Sequence, residues 1–204
     1  MSSQYDSIAR QHATARVGMW LFLSSESLLF AGLIALFTAY RLSYPTAFHA
    51  AAEHANVVLG TINTYVLLTS SLTVALALAS TERGRRRATV VWLLVSIALG
   101  ATFDVLKIVE YAQHLHDGFA PGHYFTATTL PHGAVLYFTL YYLLTGLHAL
   151  HVTAGIIVLA YLAVRARHGA FTPESHVVLE CGALYWHLVD LVWIFLWPML
   201  YLLR

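Results

Sequence analysis

Histidines and carboxylates recur at helical spacing inside stretches that are otherwise almost wholly apolar. His148 and His151 stand three residues apart, with Thr145 one turn before them and Gly155 one turn after. Glu180, His187 and Asp190 mark a second stripe, in which His187 and Asp190 are an i, i+3 pair able to fix the imidazole's orientation. Two imidazoles from neighbouring helices are the ligand set of a bis-histidine haem, so an electron-carrying site built from His148 or His151 with His187 is one reading. The other is hydrogen bonding between helices, which in a membrane contributes roughly 0.6–2 kcal/mol per contact. Leu147, Ala149 and Leu150 around His148 offer no run of small residues to open a slot for a porphyrin, so the helix-bonding reading is preferred.

The remaining ionisable groups extend the pattern. Asp104, Lys107 and Glu110 recur at i, i+3 and i+6, so the lysine could pair on either side along one helical stripe. Packing within a self-neutralising cluster is the plain reading, and a proton or ion route is the sharper one. Glu26 sits in Ser24-Ser25-Glu26-Ser27 with no basic residue within a helical turn, and an isolated carboxyl inside a membrane span is a candidate functional group. Asn63 and Ser70 share one face of another apolar stretch, suited to contact between helices. No residue is read as catalytic and none as a metal ligand.

These residues need elements to hold them, and the composition says which. Of 204 residues, 59% are hydrophobic and only 10% charged; soluble domains carry roughly 25% charged residues. The chain is therefore expected to be an all-α polytopic membrane protein with a single membrane domain over residues 1–204. Five apolar runs exceed the ~20 helical residues that cross a bilayer: 17–40, 57–79, 90–111, 134–164 and 177–203. Helices are required because lipid offers no partner to a free backbone N–H or C=O. The single cysteine, Cys181, excludes an internal disulfide and a four-thiolate metal site. The net charge of +1 gives no reason to expect a nucleic-acid partner.

Basic residues set the expected orientation. Arg10, Arg16, Arg83, Arg85, Arg86, Arg87, Arg165 and Arg167 fall on one side, and Arg41 and Arg204 on the other. Cytoplasmic loops collect Lys and Arg, which places the N-terminus in the cytoplasm and the C-terminus outside. Aromatics gather near the span ends; Trp193 and Trp197 could instead pack against a partner subunit.

Three segments carry a family resemblance. Gly18-Met19-Trp20-Leu21-Phe22-Leu23-Ser24-Ser25-Glu26 followed by Phe30-Ala31-Gly32 resembles the first core helix of haem-copper oxidase subunit III. Thr145-Gly146-Leu147-His148-Ala149-Leu150-His151-Val152-Thr153-Ala154-Gly155 is similar to that family's TGxHxxHVxxG segment, and Tyr185-Trp186-His187-Leu188-Val189-Asp190-Leu191-Val192-Trp193 to its terminal YWHFxDxVW segment. Asn63-Thr64 and Glu110-Tyr111 fit weaker family positions. The order of the motifs spans nearly the whole chain.

The resemblance implies a non-redox accessory subunit of a proton-pumping terminal oxidase in the short five-helix bacterial form. Haems and copper would belong to partner subunits. This chain would bind subunit I directly, meet subunits II and IV, hold phospholipid and support proton uptake, in a prokaryotic plasma membrane and within a respiratory supercomplex. Glu26 would match the family's buried membrane carboxyl; His148, His151, His187 and Asp190 would match its polar positions inside the bundle. A cytochrome c oxidase is implied first, with a quinol oxidase or an accessory protein of nitric oxide reductase as alternatives. Lys107 departs from the family pattern, where an uncharged residue is common. A bis-histidine haem carrier remains the competing class.

Overall fold

A computed structural model describes residues 2–127, 129–173 and 175–202, with side chains at residue 10 and from residue 13 onward. Arg204 and Leu203, the end of the expected fifth span, lie outside the described residues. Six α-helices follow in order: α1 (Ser2–Ser43), α2 (Pro45–Ala52), α3 (Val57–Glu82), α4 (Arg86–His116), α5 (Ala134–Arg167) and α6 (Val177–Trp197). All but α2 are long and apolar enough to span a membrane. Among the described residues there is no β-strand, only two isolated bridges in the loops.

α1, α3, α4 and α5 run past the expected boundaries, while α6 starts at the expected residue. α5 has 34 residues, about 51 Å at 1.5 Å per residue against a hydrocarbon core of ~30 Å, so it must tilt or project. α4 starts at Arg86 and ends at His116, because polar residues continue the helix beyond the apolar run. α2 was not anticipated; Pro45 occupies its first turn, where a missing N–H costs nothing.

Local sequence explains the ends. Asn56 caps α3 by accepting the Leu59 N–H at 3.1 Å. α3 and α5 each stop at a glycine with positive φ, Gly84 (65°) and Gly169 (75°). The next N–H reaches back five residues in both, Arg85 to Ser80 and Ala170 to Arg165, which satisfies carbonyls that the helix end leaves open. Pro198 lacks an N–H, and the last helix leaves α geometry there for one wide turn over Pro198–Leu202.

α6 occupies the middle of the bundle, packed on α1, α3 and α5, while α4 lies between α3 and α5. It supplies the largest enclosed side chains, Trp186 and Trp193. Trp193 was a candidate contact to a partner subunit; it is fully buried inside this chain, and its indole N–H donates to Thr64 Oγ1 at 3.0 Å. Trp186 lies where α4 and α5 both have a glycine. A Cβ on Gly100 would come within 2.7 Å of its ring, and a Cβ on Gly155 within 2.7 Å of the same ring. α1 joins by a narrow seam (Leu23, Phe30 and Phe37, spaced seven apart), and its other faces stay open.

Candidate functional site

The sequence left Glu26 isolated; the fold gives it a partner 125 residues away. Its Oε2 lies 3.0 Å from His151 Nε2, joining α1 to α5. His151 Nδ1 meets the Leu147 carbonyl at 2.8 Å. A carbonyl can only accept, so Nδ1 carries hydrogen and a single proton is shared between Nε2 and the carboxyl. The pair is either a carboxylic acid donating to an imidazole or an imidazolium donating to a carboxylate. The ring is fixed from the side by Phe30, 5.2 Å away edge-on, and the His151 carbonyl accepts from Tyr185 on α6 at 3.1 Å.

Lys107 is enclosed, and all three of its ammonium hydrogens have acceptors. Nζ donates to Glu110 Oε2 at 2.9 Å, Tyr141 Oη at 3.0 Å and Tyr201 Oη at 2.9 Å. Tyr201 in turn donates to Glu110 Oε1 at 2.7 Å. The aromatic faces of Trp193 and Tyr141 flank the cation at 5.2 and 5.0 Å. The result is a closed group tying α4, α5 and the end of α6, with no donor left over.

Asp104 takes no part in it, contrary to the expected three-residue stripe. It accepts from Thr153 Oγ1 of α5 at 3.0 Å. Six residues advance a helix by 600°, so Asp104 and Glu110 point about 120° apart, and the Lys107 ammonium lies on the Glu110 side.

The other sites divide into bonded and unbonded. Glu180 receives the Arg16 guanidinium at 2.8 and 3.0 Å and the His176 ring at 3.2 Å, tying the α6 start to α1. His187 Nδ1 is hydrogen-bonded to Ser71 of α3 at 2.6 Å. The expected His187–Asp190 pair does not form; Asp190 is buried, and its Oδ1 has no hydrogen-bond partner among the described residues. Ser70 donates to the Ser96 carbonyl of α4 at 3.1 Å. Asn63 lies on the same face but has no hydrogen-bond partner among the described residues.

His148 is likewise fully buried with neither ring nitrogen bonded. Its neighbours are rings: Trp193 at 5.1 Å, Phe103 at 5.5 Å and Phe30 at 6.4 Å.

His151 has both nitrogens engaged, His187 is held to α3 through Nδ1, and three aromatic rings close around His148. Among the described residues, no three of the types His, Cys, Asp and Glu gather to hold a metal. Sequence reasoning missed Tyr141, Tyr201 and the pairing role of Arg16. Tyr141 was legible, since it stands one turn before Thr145 and two before His148 on the same stripe. Tyr201 comes from another helix, and nothing in its neighbours marks it.

Comparison with known proteins gives concordant matches. The family described as Cytochrome c oxidase subunit III matches residues 6–203. The Probable cytochrome c oxidase subunit 3 of Mycobacterium leprae is 32% identical over 204 residues, covering 100% of this chain and 95% of the relative. The Quinol oxidase subunit 3 of Bacillus subtilis is 31% identical over 188 residues, covering 92% and 86%. The Cytochrome bo(3) ubiquinol oxidase subunit 3 of Pseudomonas aeruginosa is 27% identical over 186 residues, covering 91% and 83%.

Proposed function

The chain belongs to the cytochrome c oxidase subunit III family, and on that premise we propose that it serves a proton-pumping terminal oxidase as an accessory subunit without a redox centre of its own. As a member of that family it is part of an oxidoreductase complex and associates with other oxidase subunits. In our reading it braces subunit I, meets subunits II and IV, holds lipid against the complex and sustains proton uptake during oxygen reduction.

The observation that carries this is the use made of the ionisable groups on the spanning helices. Glu26, Glu110, Lys107, Glu180, His151 and His187 are each hydrogen-bonded to a side chain on another helix. Imidazoles and carboxylates held this way are helix clamps, and recruiting Glu26, Glu110, Glu180 or His151 to a metal would compete with the bundle's own contacts. The Glu26–His151 pair holds a proton between α1 and α5, and in our reading it is where this subunit would bear on proton uptake.

Orientation follows from basic residues gathered at one end. Arg86 Nε donates to the Ala166 carbonyl at 3.0 Å, and Arg16 pairs with Glu180, so the arginines of the second and fourth loops flank one end of α4 and α5 and that of α1 lies where α6 begins. We assign that end to the cytoplasm of a prokaryotic plasma membrane. A cytochrome c oxidase is preferred, since the Mycobacterium leprae relative of that name aligns along this entire chain; the quinol oxidases are the second reading, on the Bacillus subtilis relative.

The test is deletion of this chain from its host. Subunits I and II should still assemble with their metal centres, and the oxidase should lose activity during sustained turnover faster than the intact complex. An unchanged turnover lifetime would refute the bracing role.

A further inference from the structure

Between α4 and α5, at the end of the bundle that carries the arginines, lies an open groove of about 870 Å³. Its walls are apolar: Val90, Leu94 and Ile97 from α4 face Ala160 and Val164 from α5, the small alanine making the trough. Its mouth is different. Arg86, Arg87 and Arg167 stand around it, and no Asp or Glu lines it.

Arg86 is engaged by the Ala166 carbonyl and neutralises the negative end of α5. Arg87 and Arg167 are exposed, with no ion pair or hydrogen bond to any described side chain or backbone group. The first turn of α4 has no side-chain cap, so its N–H groups add to the positive potential at the same mouth. From Arg87 to Ile97 is ten residues, about 15 Å of helix, which is half of the ~30 Å hydrocarbon core and so the depth of one leaflet.

We propose that this groove binds an anionic phospholipid, its phosphate at the Arg87 and Arg167 guanidiniums and one acyl chain along Val90, Leu94 and Ile97. The proposal deepens the lipid-holding part of the function above and takes its membrane setting from that reading. Charge selects the ligand at the mouth, because guanidinium meets phosphate with paired N–H donors. The trough selects a chain over a soluble phosphate, because unmatched apolar surface here is covered only by hydrocarbon.

Native mass spectrometry of the full-length chain in mild detergent, offered dioleoyl phosphatidylglycerol or dioleoyl phosphatidylcholine, tests this directly. R87Q/R167Q should retain phosphatidylglycerol about five-fold less per guanidinium removed, with a smaller loss for phosphatidylcholine, whose phosphate is balanced by its own quaternary ammonium. A160F fills the trough with the arginines intact, and should lower retention of both lipids together. Neither arginine has a side-chain partner among the described residues, so the double variant is expected to keep its fold, checked by its melting temperature. Unchanged phosphatidylglycerol retention in either variant would overturn the proposal. So would photocrosslinking from position 94 in the assembled oxidase that captures a protein chain instead of lipid. Because lipid retention is read on the chain alone, its failure is distinct from an unchanged oxidase lifetime on deletion.

Discussion

A single proton held between Glu26 and His151 makes a sharp distinction between substitutions at position 26. An amide can donate to the same ring nitrogen, so Glu26→Gln is expected to leave assembly and melting temperature nearly unchanged. Glu26→Ala removes the contact between α1 and α5 and should cost about 0.6–2 kcal/mol, read as a lower melting temperature of the purified chain. Assembly failure in the glutamine variant would mean that the carboxylate charge itself holds the helices. Lys107 is a harsher site, because its cation and the Glu110 carboxylate are both enclosed. Lys107→Met leaves that carboxylate uncompensated, an expected loss of about 3–5 kcal/mol. Adding Glu110→Gln should recover most of it, and a double-mutant cycle on thermal unfolding measures the recovery. At this scale the sequence marked ionisable residues inside apolar runs and misjudged the partners of several. Ionisable residues in apolar runs stand out at once, whereas the group facing each one comes from a helix tens of residues away. Glu26 looked solitary for that reason, and Asp104 looked paired because spacing alone hides the rotation between i and i+6.

Helix packing turns on close approach around Trp186. Gly100 and Gly155 leave its ring the only space it has, each with a would-be Cβ at 2.7 Å. Gly155→Ala should therefore destabilise by about 1–3 kcal/mol through overpacking of a rigid indole. The smaller ring of Trp186→Phe should restore part of that loss in the same background, measured by thermal unfolding; a Gly155→Ala chain as stable as the original would contradict the packing account. The existence of the five spanning helices was legible because membrane length is a strong constraint on apolar runs. Their ends were not, since Arg86, Gln113 and His114 carry α4 beyond its hydrophobic stretch. α2 escaped notice because eight residues make no membrane-length signal. Which face of each helix turns inward was also hidden in hydropathy: Leu21, Leu28, Leu150 and Ile157 are exposed and as apolar as the core. In such a bundle the polar residues, and glycines such as Gly155, mark the inside.

The whole molecule is a bundle whose last helix is its centre, so the terminal segment positions every other span. Truncation before Pro198 would remove Tyr201 from the Lys107 group and the Leu200 carbonyl from the Tyr137 hydroxyl that donates to it at 2.7 Å. The truncated chain is accordingly expected to lose its association with the haem-bearing subunits, read by co-purification. The family was legible from three motifs, and the fold explains what those motifs do: one supplies Glu26, one His151 and Gly155, one Trp186 and His187, and all meet around α6. The central claim is that this polypeptide clamps helices with the acids and imidazoles of its spans and passes no electrons through them. A reduced-minus-oxidised absorbance spectrum of the full chain, purified apart from its partners, tests it most directly. The account predicts a featureless Soret region, with haem absorbance following the other subunits. A haem signal that stays with this chain and disappears in His148→Ala or His187→Ala would contradict it.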